Sequence, residues 1–211
     1  MLWDFGGVIL SSPFEAFAAY ERKQNIDHGF IRRVNAMNVH GNAWAKLERG
    51  EVDAQGFAEL WEAEARALDP APEVASLRAL HVLELLAGEI RPEMVAALDT
   101  CKTAGLRTAC LTNNIASPGE VGAERQASIA EVMARFDVVV ESSRVGVRKP
   151  EPRFYEIACE LLEVTATECV FLDDLGINLK PAKAMGMTTI KVEQPADALA
   201  ELSAVLGLSF D

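Results

Sequence analysis

The first ten residues, MLWDFGGVIL (Met1–Leu10), place an aspartate directly after three residues that are typical of a strand. Two glycines and a second apolar run follow Asp4. Placing a charged group at the end of a buried strand costs free energy, so its presence there indicates a functional role. In open α/β sheets, ligands bind beyond the carboxyl ends of the strands. The opening stretch therefore predicts that Asp4 belongs to a catalytic or binding site.

The second half of the chain, from Arg91 onward, alternates short apolar runs with helical patterns that begin at Pro, Ala or Asn. The predicted strands are RTACLTNN (107–114), FDVVVES (136–142), ECVFLDD (168–174) and TTIKV (188–192). Strands that alternate with helices in this way are typical of a parallel sheet covered on both faces. We therefore expect an α/β fold with a doubly wound, Rossmann-like parallel sheet.

Residues 13–88 show a helical pattern and no convincing strand. Asp53, for example, is predicted to cap a helix with one apolar face. We expect two parts: an α/β core formed by residues 1–12 and 89–211, and an inserted small all-helical domain formed by residues 13–88.

Composition limits the partners and the compartment. The net charge of −12 over 211 residues argues against nucleic acid as a partner, because the phosphate backbone binds to basic surfaces. No signal peptide is visible, and no window approaches the ~20 apolar residues of a membrane span. The cysteines form no CxxC pair, which predicts buried, reduced thiols in a cytoplasmic protein. They are Cys101, Cys110, Cys159 and Cys169.

Further polar residues occur where predicted strands end or in the loops just after them. With the opening aspartate they are Asp4, Thr112, Asn113, Lys149, Asp173 and Asp174. Each residue alone could be ordinary turn chemistry. Their joint occurrence at strand ends predicts one shared site at the carboxyl edge of the sheet.

These segments resemble the motifs of the haloacid dehalogenase (HAD) superfamily of hydrolases. WDFGGVIL resembles the first motif, LTNN the second, GVRKPEP the third and FLDDLGINLKPAKAMGM the fourth. The resemblance covers nearly the whole chain. It is strongest to the branch that contains the N-terminal phosphatase domain of soluble epoxide hydrolases, and it identifies the helical insertion with the cap domain of that family.

The resemblance implies a Mg²⁺-dependent phosphatase that forms an aspartyl-phosphate on Asp4. The implied ligands of Mg²⁺ are a carboxylate oxygen of Asp4, the backbone carbonyl of Gly6 and the side chain of Asp174. Asp173 is expected to contribute directly or through a water. Oxygen ligands of this kind suit magnesium.

The resemblance also assigns the remaining polar residues. Thr112 and the Asn113 amide are expected to bind the phosphate of the substrate. Lys149 is expected to place its charge beside both Asp4 and that phosphate. The expected partner is a small phosphorylated molecule, without nucleic acid or membrane, and an apolar face of the helical domain could mediate a homodimer.

One position departs from the phosphatase pattern of the family, which usually carries a second aspartate two residues after the nucleophile. Here that residue is Gly6. The structural interpretation of the two glycines is a tight turn in which a Cβ would not be tolerated. The functional interpretation is the loss of the acid that protonates the leaving alcohol, a group worth about 10²–10⁴-fold. It predicts a preference for aryl or acyl phosphates.

Two other functions remain open at this point. In a 2-haloacid dehalogenase, the same aspartate would displace a halide without a metal or a leaving-group acid, although the Asp173–Asp174 pair argues against it. A catalytically weak domain would bind a phospho-ligand without turnover. Retention of Asp4, Thr112, Lys149 and the Asp173–Asp174 pair argues against this second alternative.

Overall fold

Five parallel strands form the sheet in the computed structural model, which describes residues 1–115 and 123–210. The strands are β1 (Leu2–Trp3), β2 (Ala109–Thr112), β3 (Val138–Glu141), β4 (Val170–Asp173) and β5 (Thr188–Lys191). Their order across the sheet is β3-β2-β1-β4-β5, so the shortest strand is the central one. The chain therefore leaves the middle of the sheet at Asp4.

The register of the central strand fixes which residues surround its end. Trp3 pairs with Cys110 of β2 on one side and with Leu172 of β4 on the other. Leu2 and Trp3 are fully buried, as expected for a strand covered on both faces. Their side chains join different apolar layers, because successive residues of a strand point to opposite faces.

Six α-helices lie between residues 13 and 88. They are α1 (Phe14–Lys23), α2 (Phe30–Ala36), α3 (Ala43–Glu48), α4 (Ala54–Leu68), α5 (Pro72–Ala75) and α6 (Ala79–Glu84). The helices pack around an apolar cluster of their own, which includes the fully buried side chains of Phe30, Phe57 and Trp61. We call residues 13–88 the helical segment.

The helices that follow the helical segment cover the two faces of the sheet. They are α7 (Pro92–Thr103), α8 (Ala123–Met133), α9 (Ser142–Val145), α10 (Pro152–Leu162), α11 (Gly176–Ala184) and α12 (Pro195–Leu206). Leu98 of α7 and Leu202 of α12 pack on the face that includes Trp3. Phe154 and Tyr155 of α10 pack on the other face, with Leu2. The predicted doubly wound fold is confirmed.

The helical segment joins the core through two chain crossings that lie side by side. Leu10 and Ile90 form an antiparallel bridge, and the Ser11 N–H donates to the Glu89 carbonyl over 2.7 Å. These crossings lie next to the boundaries expected at residues 12 and 89. The division into two domains itself stays a prediction.

The predicted burial of the four cysteines is confirmed, and all four thiols are free. Burial raises the pKa of Cys101 to about 11 and that of Cys169 to about 12, so these thiols stay protonated at neutral pH. Among the described helices, none is long and apolar enough to cross a membrane.

The predicted helix cap at Asp53 is confirmed and can be tested. Its carboxylate accepts a hydrogen bond from the Gly56 N–H over 2.8 Å at the start of α4. Asp53→Ala should lower the free energy of unfolding by about 1 kcal/mol, because that donor loses its partner. Asp53→Asn, which keeps an acceptor at the same place, should remain within about 0.5 kcal/mol of the wild type. Urea denaturation of both variants measures the difference, and equal losses would contradict the cap.

Candidate active site

Asp4 lies at the carboxyl end of the central strand and is nearly buried. Its backbone N–H donates to the Leu172 carbonyl over 2.8 Å, which ties it to β4. One carboxylate oxygen, Oδ1, accepts from the Phe5 N–H over 2.6 Å and from Lys149 Nζ over 2.7 Å. The position of Asp4 is thus set by the sheet, by its own turn and by a distant lysine.

Lys149 joins two carboxylates. Its ammonium contacts Asp173 Oδ2 over 2.8 Å as well as Asp4, and the side chain is 1% exposed. Burial by itself would lower the pKa of this ammonium. The negative charges of Asp173 and Asp4 outweigh burial and raise the pKa of Lys149 above its usual value. The lysine is therefore a fixed positive charge beside Asp4.

The two adjacent aspartates have different surroundings. Asp173 is completely buried, and its carboxylate accepts from the Leu175 N–H and from the Asn178 side-chain amide as well as from the lysine. Asp174 is only partly buried. Its pKa is raised to about 6 by burial and by the charge of Asp173. Both oxygens of Asp173 accept hydrogen bonds from the protein, so Asp174 is the more available of the two carboxylates for binding a cation.

Three carboxylates converge at this edge of the sheet, as the sequence predicted. Oxygens of Asp4, Asp173 and Asp174 lie within 4.8 Å of one another. Burial and the charges of the other two carboxylates raise the pKa of Asp4, against the opposing effect of Lys149. The cluster has more carboxylates than cations to balance them. Its excess of negative charge and its hard oxygen donors fit a divalent cation such as Mg²⁺.

The two glycines after Asp4 have different structural roles. Gly7 has a φ of 77°, and a Cβ there would lie 2.3 Å from Asp174 Oδ2. Its carbonyl accepts from Arg91 Nη1 over 2.7 Å. Gly6 has an ordinary φ of −69°, and a Cβ there would contact nothing within 4 Å. The tight-turn interpretation is therefore right for Gly7 and wrong for Gly6, where the space beside the backbone is open.

The two residues expected to bind phosphate end the neighbouring strand. Thr112 is the last residue of β2 and is nearly buried. The Asn113 side chain clamps the backbone of Lys149: its oxygen accepts from the Lys149 N–H over 2.9 Å, and its Nδ2 donates to the Lys149 carbonyl over 3.0 Å. Both ends of this amide are thus occupied. The phosphate contacts of Thr112 and Asn113 stay predictions.

Sequence reasoning missed three residues next to this cluster. Arg91 holds the turn at Gly7, as described above. Glu48, from α3, is nearly buried and receives a hydrogen bond from Arg148, which precedes Lys149. Burial raises the pKa of Glu48, although Arg148 opposes the shift. A glutamate and an arginine 100 residues apart carry no spacing signal that could have paired them.

The fold and the carboxylate cluster together define a candidate cation site at the carboxyl edge of an α/β sheet. Comparison with known families adds the reaction class, since the family profile "haloacid dehalogenase-like hydrolase" matches residues 1–186. The chain belongs to this family of hydrolases.

Curated relatives extend the comparison. The chain is 34% identical over 212 residues to acyl-CoA dehydrogenase family member 10 of Mus musculus, a match covering 98% of the chain and 19% of that protein. It is 32% identical over 213 residues to bifunctional epoxide hydrolase 2 of Sus scrofa, covering 98% and 38%. It is 33% identical over 103 residues to phosphatase MT3486 of Mycobacterium tuberculosis, covering 49% and 46%. The chain thus spans less than half the length of each of these relatives.

Solved structures share the fold. One described as a dehalogenase has a TM-score of 0.63 at 17% identity and covers 99% of this chain and 96% of its own. A HAD family enzyme from Bacteroides thetaiotaomicron, solved with magnesium and inorganic phosphate, has a TM-score of 0.56 at 16% identity, covering 90% and 91%. At these identities the likeness is one of fold.

The contrast between the two glycines is testable by matched alanine variants. Gly7→Ala forces a Cβ against the Asp174 carboxylate at a left-handed φ, so we expect unfolding free energy to fall by about 1–3 kcal/mol. Gly6→Ala meets open space and should change it by less than about 0.5 kcal/mol. Urea denaturation without added metal measures both. Similar losses in the two variants would contradict the described turn.

Proposed function

We propose that this chain is a Mg²⁺-dependent phosphatase that acts on small organic phosphomonoesters, with Asp4 as the nucleophile. The observation that carries the proposal is the contact of Lys149 with Asp4, inside a cluster of three carboxylates. A carboxylate can attack a phosphoester dianion only when its own negative charge is compensated. The lysine and a cation held by the cluster supply that compensation.

The hydrogen bonds of Asp4 indicate which oxygen attacks. Oδ1 already accepts from the Phe5 N–H and the Lys149 ammonium, so the attack falls to Oδ2. The Oδ2–phosphorus bond forms while the bond from phosphorus to the substrate oxygen breaks. The leaving alkoxide takes its proton from water, because Gly6 offers none. Water then attacks phosphorus of the aspartyl-phosphate, releases phosphate and restores the Asp4 carboxylate.

The residues proposed to hold Mg²⁺ directly are Asp4, the Gly6 carbonyl and Asp174. When bound, the ion neutralises the carboxylates and the phosphate oxygens. Asp173 is assigned a different role. Both of its oxygens accept hydrogen bonds from protein donors, one of which is the Lys149 ammonium, so Asp173 orients that lysine. This division follows from burial, since the completely buried acid is saturated and the partly buried one is free.

Phosphate recognition is assigned to the end of β2. Thr112 would donate its hydroxyl to a phosphate oxygen. The Asn113 side chain is committed to the Lys149 backbone, which leaves the Asn113 backbone N–H for the phosphate. The helical segment would act as the cap over this site, since it reaches the Lys149 loop through Glu48 and Arg148.

The comparisons support the proposal at the level of the reaction class. One curated relative is itself named a phosphatase, and one solved structure of the same fold carries magnesium and inorganic phosphate. A structure described as a dehalogenase also shares the fold. The carboxylate cluster favours phosphate chemistry here, because displacement of a halide needs no metal.

We also propose that the protein is cytoplasmic, on the basis of its free thiols.

A panel of phosphate esters, assayed with and without Mg²⁺, tests the function. We expect release of inorganic phosphate that requires Mg²⁺ and is abolished in Asp4→Asn, because the amide cannot act as a nucleophile. Turnover that survives in Asp4→Asn would contradict the proposal. Chloride release from 2-chloropropionate that is insensitive to a chelator would favour the dehalogenase alternative instead. Tight phosphate binding without turnover of any ester would favour the binding domain.

The open space at Gly6 predicts the preferred leaving group. With no acid at this position, aryl and acyl phosphates should be hydrolysed faster than alkyl phosphates. Gly6→Asp should raise alkyl phosphate turnover by about 10²-fold or more, because the backbone conformation and the surroundings accept a side chain. Gly6→Asn, a matched variant without an acid, should give no such gain. Equal wild-type rates for aryl and alkyl esters would contradict this account.

A further inference from the structure

A buried ion pair joins the helical segment to the loop that carries Lys149. Glu48 is the last residue of α3, and Arg148 immediately precedes the lysine. Arg148 Nε donates to Glu48 Oε2, and the two side chains are 11% and 9% exposed. Because the partners belong to different parts of the chain, the pair forms only when the helical segment lies on the core.

The carboxylate of Glu48 collects hydrogen bonds from three directions. Besides Arg148, Oε2 accepts from Asn113 Nδ2 over 3.3 Å, and Oε1 accepts from the Trp44 indole N–H over 2.9 Å. Arg148 holds a second point of the helical segment, because its Nη1 donates to the Val39 carbonyl over 2.9 Å. This arrangement suits an ionised carboxylate, which accepts hydrogen bonds and donates none.

The same network continues to the nucleophile. Asn113, one of the donors to Glu48, clamps both the N–H and the carbonyl of Lys149. The lysine ammonium then contacts Asp4 over 2.7 Å. Two routes therefore lead from Glu48 to Lys149: one through the Asn113 side chain, and one through the backbone bond between Arg148 and Lys149.

We infer that Glu48 is a positioning residue, which holds the Lys149 ammonium against Asp4 through Arg148 and Asn113 while the helical segment is seated on the core. The consequence for turnover rests on the proposed function. The position of the lysine does not, so it can be measured without a substrate.

The chain offers a matched control for this inference. Arg49 and Glu151 form a second ion pair across the same boundary, with 3.6 Å between Arg49 Nη1 and Glu151 Oε1. In the described part of the chain, neither side chain contacts Asn113 or Lys149 by a hydrogen bond or ion pair. If the Glu48–Arg148 pair only attaches the helical segment, its loss should affect Lys149 no more than loss of the Arg49–Glu151 pair does. If Glu48 positions Lys149, its loss should have the larger effect.

The test measures how fast an amine-reactive acetylating reagent labels Lys149 in the full-length, metal-free protein, read by peptide mass spectrometry. Labelling of the exposed Lys183 serves as the internal reference. In the wild type Lys149 should react slowly, since it is almost completely buried. Glu48→Gln should speed Lys149 labelling roughly tenfold, because the variant loses the charge that fixes Arg148 and so eases local opening. Glu151→Gln should leave the rate within about twofold of the wild type.

A milder variant keeps the test decisive if Glu48→Gln does not fold. Trp44→Phe removes the indole donor to Glu48 and makes the ring smaller, but it keeps an aromatic ring beside Phe57, whose centroid lies 5.3 Å from that of Trp44. It should increase Lys149 labelling in the same direction by a smaller factor. Unchanged labelling in the folded Glu48 or Trp44 variant, or an equal increase in Glu151→Gln, would overturn the inference.

Turnover of an aryl phosphate provides the second measurement. Glu48→Gln should lower kcat about tenfold with little change in KM, because a displaced lysine affects the reacting carboxylate more than substrate capture. Glu151→Gln should leave both constants unchanged. If the wild type shows no turnover while Lys149 labelling still responds to Glu48→Gln, the proposed function fails and the positioning role stands. An unchanged kcat in Glu48→Gln beside an active wild type would overturn that role.

Discussion

The salt bridge from Lys149 to both Asp4 and Asp173 is the interaction on which the site depends. It brings a loop beyond β3, the end of β1 and the end of β4 to one point in the protein. Removing one partner of such a buried ion pair typically costs about 3–5 kcal/mol, since an uncompensated charge remains. The bridge therefore sets the position of Asp4 and lets three acids share a small volume.

The fold places this bridge where chemistry can use it. Because β1 is the central strand, Asp4 has neighbours on both sides: Thr112 at the end of β2, and Asp173 at the end of β4. An aspartate at the end of an edge strand would have such neighbours on one side only. The short central strand therefore carries the most constrained residue of the site, and its register determines the rest.

The sequence was sufficient to predict the strands of the sheet and the polar residues at its carboxyl edge. Apolar runs followed by polar residues located β2 and β4, and the strand-end rule brought Asp4 and Asp173 together. Hydrogen bonding could not be predicted at this level. The difference between Asp173 and Asp174 depends on Asn178, and the difference between Gly6 and Gly7 depends on a backbone torsion and a nearby carboxylate. The pairing of Glu48 with Arg148 requires the three-dimensional arrangement of the helical segment.

Charge balance connects these elements to the proposed chemistry, because a lysine alone does not offset three carboxylates. The most direct test is to quench the wild-type protein during turnover of an acyl phosphate in the presence of Mg²⁺, and to map phosphorylation by peptide mass spectrometry. The account predicts one transient phosphoryl group on the N-terminal peptide, at Asp4, absent in Asp4→Asn. Turnover with no phosphoryl group on that peptide, or with one on another residue, would contradict it.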